Sequence, residues 1–207
     1  CYRIGTFTNY DELLPSKIVK ADGTVKELAY ADRDDIDPSL NDAIKKILKT
    51  DPITSLIIWR DGKIQKEVYQ YARKDTDLFH SFSMHKTFTG LLIDQAIQVG
   101  FIENVDDPIV KYLPSLADTG WKDRTLFHAL TMTSGVRRDD KVFYGSLFFK
   151  DVDRLSLIKN KFSTFKKDAG KRYIYTDVNT FLLGLISERV FEKPYSEIFS
   201  ETIWKNI

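Results

Sequence analysis

The spacing of apolar residues along this chain changes once, near residue 82, and that change restricts the folds open to it. Before it, Thr54-Ser55-Leu56-Ile57-Ile58-Trp59 and the run from Lys63 to Tyr71, with Ile64, Val68 and Tyr71 among polar residues, read as strands. Asp61-Gly62 stands between them, a pair that tolerates the positive φ a two-residue turn demands, and it predicts a hairpin. After the change, Met84, Phe88, Leu91, Leu92, Ile93, Ala96, Ile97 and Val99 recur at helical spacing, with Gly100 as the stop. So many apolar positions predict a helix buried on most sides.

The remaining helix signals lie on both sides of that switch. Asp37-Pro38-Ser39 opens a helix with Leu40, Ile44, Ile47 and Leu48 on one face. Asp106-Asp107-Pro108 starts a short helix that Pro114 closes, and Thr125 to Thr133 forms another that ends at Gly135. Further helices are expected around Val152–Lys161, from Val178 to Val190, and after Pro194 as an amphipathic piece with Ile198, Phe199, Ile203 and Trp204. Residues 1–36 are polar and poorly periodic, and are expected to form an extended arm. No repeat, low-complexity tract or linker interrupts the chain, so 1–207 reads as a single domain. Strands first and many helices after define an α+β class with the helices segregated from the sheet.

Composition narrows the function. With 43% hydrophobic and 29% charged residues the chain has material for a packed core. A net charge of +1, with lysines interspersed among acids, leaves no basic face for nucleic acid. The longest apolar runs, such as Ile53–Trp59 and Phe181–Ile186, are too short to span a bilayer. The one cysteine, Cys1, excludes an internal disulfide and would suit the lipid anchor of a mature lipoprotein; a chain cut at that point reads the same way. None of His80, His85 and His128 has metal-ligand spacing, and there is no Gly-rich phosphate loop, so no metal or cofactor is expected.

One motif carries chemistry. In Ser-x-x-Lys on a helix the two residues lie one turn apart on the same face, about 5–6 Å between Cβ atoms. A serine hydroxyl is a poor nucleophile until a base takes its proton, and lysine can do so once its pKa is lowered by burial and a helix N-terminus. That N-terminus also offers N–H groups to a developing oxyanion. The pattern occurs three times: Ser83-Met84-His85-Lys86, Ser156-Leu157-Ile158-Lys159 and Ser163-Thr164-Phe165-Lys166. Only Ser83 stands where strands give way to a long apolar helix. Ser156 falls inside an ordinary amphipathic helix, and Ser163 in a lysine-rich connection.

The segment Ser81-Phe82-Ser83-Met84-His85-Lys86-Thr87-Phe88-Thr89-Gly90 resembles the active-site helix of the serine β-lactamase and penicillin-binding-protein superfamily, in its class C β-lactamase-like branch of esterases, D-amino peptidases and aminohexanoate-oligomer hydrolases. Three more segments resemble that family in its order: Val105 to Pro114, Leu130-Thr131-Met132-Thr133-Ser134-Gly135, and Tyr173 to Gly184. The resemblance implies a β-lactamase/transpeptidase-like fold, an antiparallel sheet with a helical subdomain. It implies that Ser83 forms an acyl-enzyme with an amide, ester or peptide substrate, that Lys86 takes its proton, and that Tyr175 passes the proton on. His85, two residues from Ser83 on the helix, is expected to pack or face solvent. Asp139, Asp140 and Tyr144 read either as a substrate-lining loop or as a solvated turn.

Two departures from the family matter. Its Tyr-x-Asn is here Tyr175-Thr176-Asp177. A carboxylate at this substrate-binding position would attract Lys86 and hold it charged, so Asp177 is expected to alter substrate choice or lower activity. The family's third motif, a Lys- or His-Thr/Ser-Gly strand, does not follow the tyrosine segment, and Glu201 to Ile207 resembles a stretch that continues in the family. The fold is therefore expected to be incomplete at its C-terminus, with the missing part of the same fold as a partner. Two functions compete: a serine hydrolase, or a catalytically impaired penicillin- or peptide-sensing module. The family is often exported, so the periplasm or cell envelope is expected, with the cytoplasm as the alternative.

Overall fold

The computed structural model describes residues 16–19, 27–32, 38–149, 152–165 and 167–206. Cys1 and most of the expected N-terminal arm lie outside the described residues. The described chain divides into two compact units, with residues 16 and 27–81 in one and residues 17–19 and 82–206 in the other.

The first unit is built on the hairpin. Strands β2 (Ser55–Arg60) and β3 (Lys63–Tyr69) pair antiparallel, from Ser55 opposite Tyr69 to Arg60 opposite Lys63, with one irregularity between Ile58 and Trp59. Asp61 (φ 53°) and Gly62 (φ 79°) form the turn, both left-handed as a tight hairpin requires. β3 ends before the expected Tyr71 because Tyr71 and Ala72 also adopt positive φ, which breaks the pleat. A two-residue strand, β1 (Ala29–Tyr30), adds to the far side of β3 in parallel, so the sheet order is β1-β3-β2 and the sheet is not wholly antiparallel. The Tyr30 and Tyr69 hydroxyls both donate to the Glu67 carboxylate. Helix α1 (Pro38–Thr50) buries Ile44, but Ile47, expected on the same face, is exposed. The Gln70 amide reaches the Leu48 carbonyl at 3.4 Å, which ties the end of the hairpin to the last turn of α1.

The second unit is helical. In order come α2 (His85–Gln98), α3 (Ile109–Tyr112), α4 (Leu126–Leu130), α5 (Asp140–Phe149), α6 (Arg154–Lys161), α7 (Asp177–Phe191) and α8 (Tyr195–Thr202). α7 is the central element and packs against α2, α3, α4, α6 and α8. Its Val178, Leu182, Leu183 and Ile186 join Ile93 and Ala96 of α2 and the fully buried Trp121 and Phe162 in one core. α2 starts and stops close to where its periodicity predicts, with Gly100 at φ 81° just past its end. It is buried on one face only, through Thr89, Leu92, Ile93 and Ala96, while Leu91 and Val99 remain about half exposed. Eight apolar positions are more than one contact face needs, and the surplus faces outward.

α4 is shorter than the expected 125–133 span because two residues after its end Met132 turns left-handed at φ 57°. Its start is a reciprocal cap: Thr125 Oγ1 accepts from the His128 amide, and the His128 ring accepts from the Thr125 amide at 3.1 Å. α6 begins at Arg154, where the Asp153 carboxylate accepts from the Ser156 amide at 2.7 Å. The region of Asp139, Asp140 and Tyr144, expected as a loop or turn, is the head of α5. Phe143 drives this: it is 3% exposed and meets Phe162 and Phe181 edge-on at 5.6 and 4.9 Å, and that burial favours helix over loop.

Candidate active site

Ser83 lies in a single 3-10 turn, Phe82–Met84, that leads directly into α2. Phe82 adopts φ 45°, a left-handed conformation that costs a non-glycine residue roughly 1 kcal/mol. The kink sets the hydroxyl of Ser83, an exposed residue, at the head of the helix. Lys86, one turn on, places its Nζ 3.1 Å from Ser83 Oγ. The spacing of the motif has thus produced the juxtaposition it predicts.

The other two copies of the motif do not. The Ser156 amide is taken up in the α6 cap, and Lys159 reaches instead to Asp118 at 3.0 Å. Ser163 Oγ donates to the Ile158 carbonyl at 3.1 Å, the ordinary fate of a hydroxyl at a helix end.

Tyr175 and Asp177 arrive from the start of α7. Lys86 Nζ sits 5.1 Å from the centre of the Tyr175 ring and forms an ion pair with Asp177 Oδ1, both side chains being at least four-fifths buried. The other Asp177 oxygen, Oδ2, accepts from the Tyr144 hydroxyl of α5. The Arg138 guanidinium lies 6.0 Å from the Tyr175 ring and is itself held by Asp140, at 2.6 Å for its shortest contact.

Two helix N-termini meet here with opposite consequences. Asp177 is in the first turn of α7, where the helix dipole favours a carboxylate. Lys86 is in the first turn of α2, where the dipole disfavours an ammonium. Burial also pulls the Lys86 pKa down, but hydrogen bonds to Asp177 and Tyr175, reinforced by their charges, push it up harder. The net result is a pKa above the ordinary lysine value, so at neutral pH Lys86 is an ammonium that donates to Ser83 Oγ.

A buried framework holds this arrangement, and sequence reasoning missed most of it. Asn179, fully buried one turn into α7, accepts from Ser134 Oγ at 2.7 Å and points its amide at Met132 Sδ at 3.4 Å. The Ile174 amide donates to the Met132 carbonyl at 2.8 Å, and the Gly170 amide to the Thr133 carbonyl at 2.9 Å, so the segment leading to Tyr175 is stitched to the Thr133-Ser134-Gly135 segment. Arg124 bridges both sides through the Ser134 carbonyl at 2.7 Å and the Lys167 carbonyl at 3.2 Å. The signal available in the sequence was a polar asparagine inside the apolar stripe of α7, which a buried helix face tolerates only when hydrogen-bonded. His85 is exposed and its ring lies against Phe88, Tyr195 and Phe199 at 5.5–5.9 Å.

Helices packed behind a serine–lysine pair at the head of one of them, with a small sheet before them in the chain, define the β-lactamase/transpeptidase-like fold. The chain belongs to the beta-lactamase family, whose model matches residues 41–207. A beta-lactamase of Yersinia enterocolitica is 34% identical over 93 residues, covering 41% of this chain and 23% of that protein. Among solved structures, one described as "Putative 6-aminohexanoate-dimer hydrolase from Bacillus anthracis" superposes with a TM-score of 0.84 at 18% identity, over all of this chain and 59% of the other. A class C beta-lactamase in complex with cefoxitin superposes with a TM-score of 0.62 at 20% identity, over 80% of this chain and 47% of the other. The chain therefore spans about a quarter of the curated relative and about half of the solved structures it matches. Among the described residues no helix is long and apolar enough to cross a membrane.

Proposed function

We propose that this chain carries the nucleophile of a serine hydrolase that cleaves an amide or ester bond. The observation that carries the reading is the 3.1 Å contact between Lys86 Nζ and Ser83 Oγ at the head of α2. Membership of the beta-lactamase family and the likeness to a described aminohexanoate-dimer hydrolase support it. In the reaction, Ser83 Oγ attacks the substrate carbonyl carbon while its proton passes to the neutral amine of Lys86. The tetrahedral species collapses, the leaving group departs with a proton delivered through Lys86 and Tyr175, and an ester on Ser83 remains. Water then attacks that ester, the proton returns to the serine oxygen, and the acid product leaves.

Lys86 can act as the base only in its deprotonated form, and Asp177 opposes that form. Asp177 is therefore a brake on this chemistry. The same ion pair favours the second reading, a module that binds a penicillin or peptide and turns it over poorly. A fluorophosphonate probe decides whether acylation occurs: it should label the chain and fail to label Ser83→Ala, and equal labelling of both would refute the hydrolase. Asp177→Asn should raise turnover of a p-nitrophenyl ester, since the amide leaves Lys86 free to lose its proton. An unchanged rate removes Asp177 from the role given to it.

A further inference from the structure

We propose that Tyr144 is a positioning residue for this site: its phenol ties one oxygen of the Asp177 carboxylate to α5, so that the other oxygen stays on the Lys86 ammonium. The inference rests on Lys86 being the base that serves Ser83, and goes beyond it to the residue that determines when that base is available.

The contacts divide the carboxylate. Lys86 Nζ takes Oδ1 and the Tyr144 hydroxyl takes Oδ2. A carboxylate held at one oxygen can rotate about its last side-chain bond; held at both, by donors on different helices, its plane is fixed. The donors come from α2 and α5, and the acceptor from the first turn of α7, so three elements converge on one group. α5 is a firm mount. Phe143, next to Tyr144, is buried against Phe162 and Phe181, and the Asp139 carboxylate accepts from the Val142 amide at 3.1 Å at the head of the helix.

Tyr144 also keeps the proton it donates. Burial, then the hydrogen bond to Asp177, raise its pKa well above the ordinary tyrosine value. The phenol is a donor throughout the pH range in which the site could work. Among the described residues, the other charged and titratable groups around the pair are Tyr175 beside Lys86, and Arg138, just before α5, with its partner Asp140 at the first position of α5. Arg138 is committed to Asp140 through a bidentate contact, with Nη2 donating to Oδ2 at 2.6 Å and Nε to Oδ1 at 3.1 Å. It contributes charge at a distance and not a second tie.

Tyr144→Phe removes one hydroxyl and keeps the ring that packs. The Lys86 amine can be titrated by NMR of its Nζ group in the whole chain, with no need for catalysis. Tyr144→Phe should lower the midpoint by part of the shift that Asp177→Asn produces, because the freed carboxylate no longer keeps Oδ1 on the ammonium; a midpoint that rises, as loss of the phenol dipole alone would give, would overturn the proposal. Asp177→Asn should lower it further, and adding Tyr144→Phe to Asp177→Asn should change nothing more. Labelling of Ser83 at a fixed pH below the midpoint should rise in Tyr144→Phe by about tenfold for each pH unit the midpoint falls, following the fraction of free amine. A midpoint that stays at the wild-type value while only thermal stability falls would show a merely structural tyrosine and overturn the proposal. An equal drop in the Asp177→Asn background would overturn it too, because the effect would not run through Asp177. If no variant labels at Ser83, the hydrolase reading fails, and the titration still decides the role of Tyr144.

Discussion

The two units reach order by different means. In residues 27–81 the structure rests on local chemistry: one Asp-Gly turn, a seven-residue strand and a capping helix, with Ile44, Ile64 and Gln65 as its buried side chains among the described residues. Tyr30, Ile57 and Trp59 remain more than half exposed on its sheet. In residues 82–206 the structure rests on a continuous core, with Trp121, Leu126, Ile158, Phe162, Leu182 and Ile186 fully buried. The Ser83, Lys86, Tyr175 and Asp177 cluster belongs entirely to this second unit. A site that must hold a hydroxyl, an amine and a carboxylate within hydrogen-bond reach needs elements that cannot shift, and a dense core supplies them.

The sharpest test of this contrast is a pair of tryptophans. Trp121→Ala empties a fully buried site whose indole N–H donates to the Phe162 carbonyl at 3.0 Å, and should cost about 3–5 kcal/mol in denaturant unfolding. Trp59→Ala, at 59% exposure, should cost under about 1 kcal/mol. Comparable losses at the two positions would erase the distinction between the units.

A pair of glycines sharpens it at smaller scale. Gly62 and Gly135 both adopt positive φ, near 80°, but a methyl group at Gly62 meets open space, while one at Gly135 would run into the Lys167 carbonyl oxygen. Gly62→Ala should cost about 1–2 kcal/mol of backbone strain alone. Gly135→Ala should cost more and also reduce Ser83 labelling, because the displaced segment at Lys167 leads on to Tyr175. Equal melting shifts for the two would show that the close approach at Gly135 carries no weight.

The smallest effect expected is a pH dependence. Lys86 has its pKa raised in the folded state, through Asp177 and Tyr175 and against the effect of burial. The stability it contributes is fully present below the ordinary lysine value of about 10.4 and is lost as pH climbs through the folded value. The melting temperature of wild type relative to Lys86→Met should therefore hold steady up to about pH 10 and then decline. A difference that stays flat into strong alkali would mean the ion pair adds nothing to the fold.

How much of this was readable in advance differs element by element. The hairpin was legible because Asp61-Gly62 needs no distant partner to turn. α2, α7 and α8 were legible because their apolar spacing persists over two turns or more. α5 was not: Asp139-Asp140 and Gly145 carry turn chemistry, and only the aromatic pocket around Phe143 makes a helix of the segment. The β1 pairing was not legible either, since a two-residue strand has no period to detect.

The site divides in the same way. The sequence by itself determined that Ser83 and Lys86 would face each other, because a three-residue spacing at a helix head is a local geometric fact. It also placed a carboxylate where the family has an amide, and the attraction to Lys86 follows from charge alone. Only the tertiary structure decided that Tyr144, 33 residues before Asp177 in the chain, would take the second carboxylate oxygen. It alone decided that Asn179 would bind Ser134 beneath the site. The reason is physical: contacts within one helical turn are set by backbone geometry, whereas contacts between helices depend on how a whole core closes.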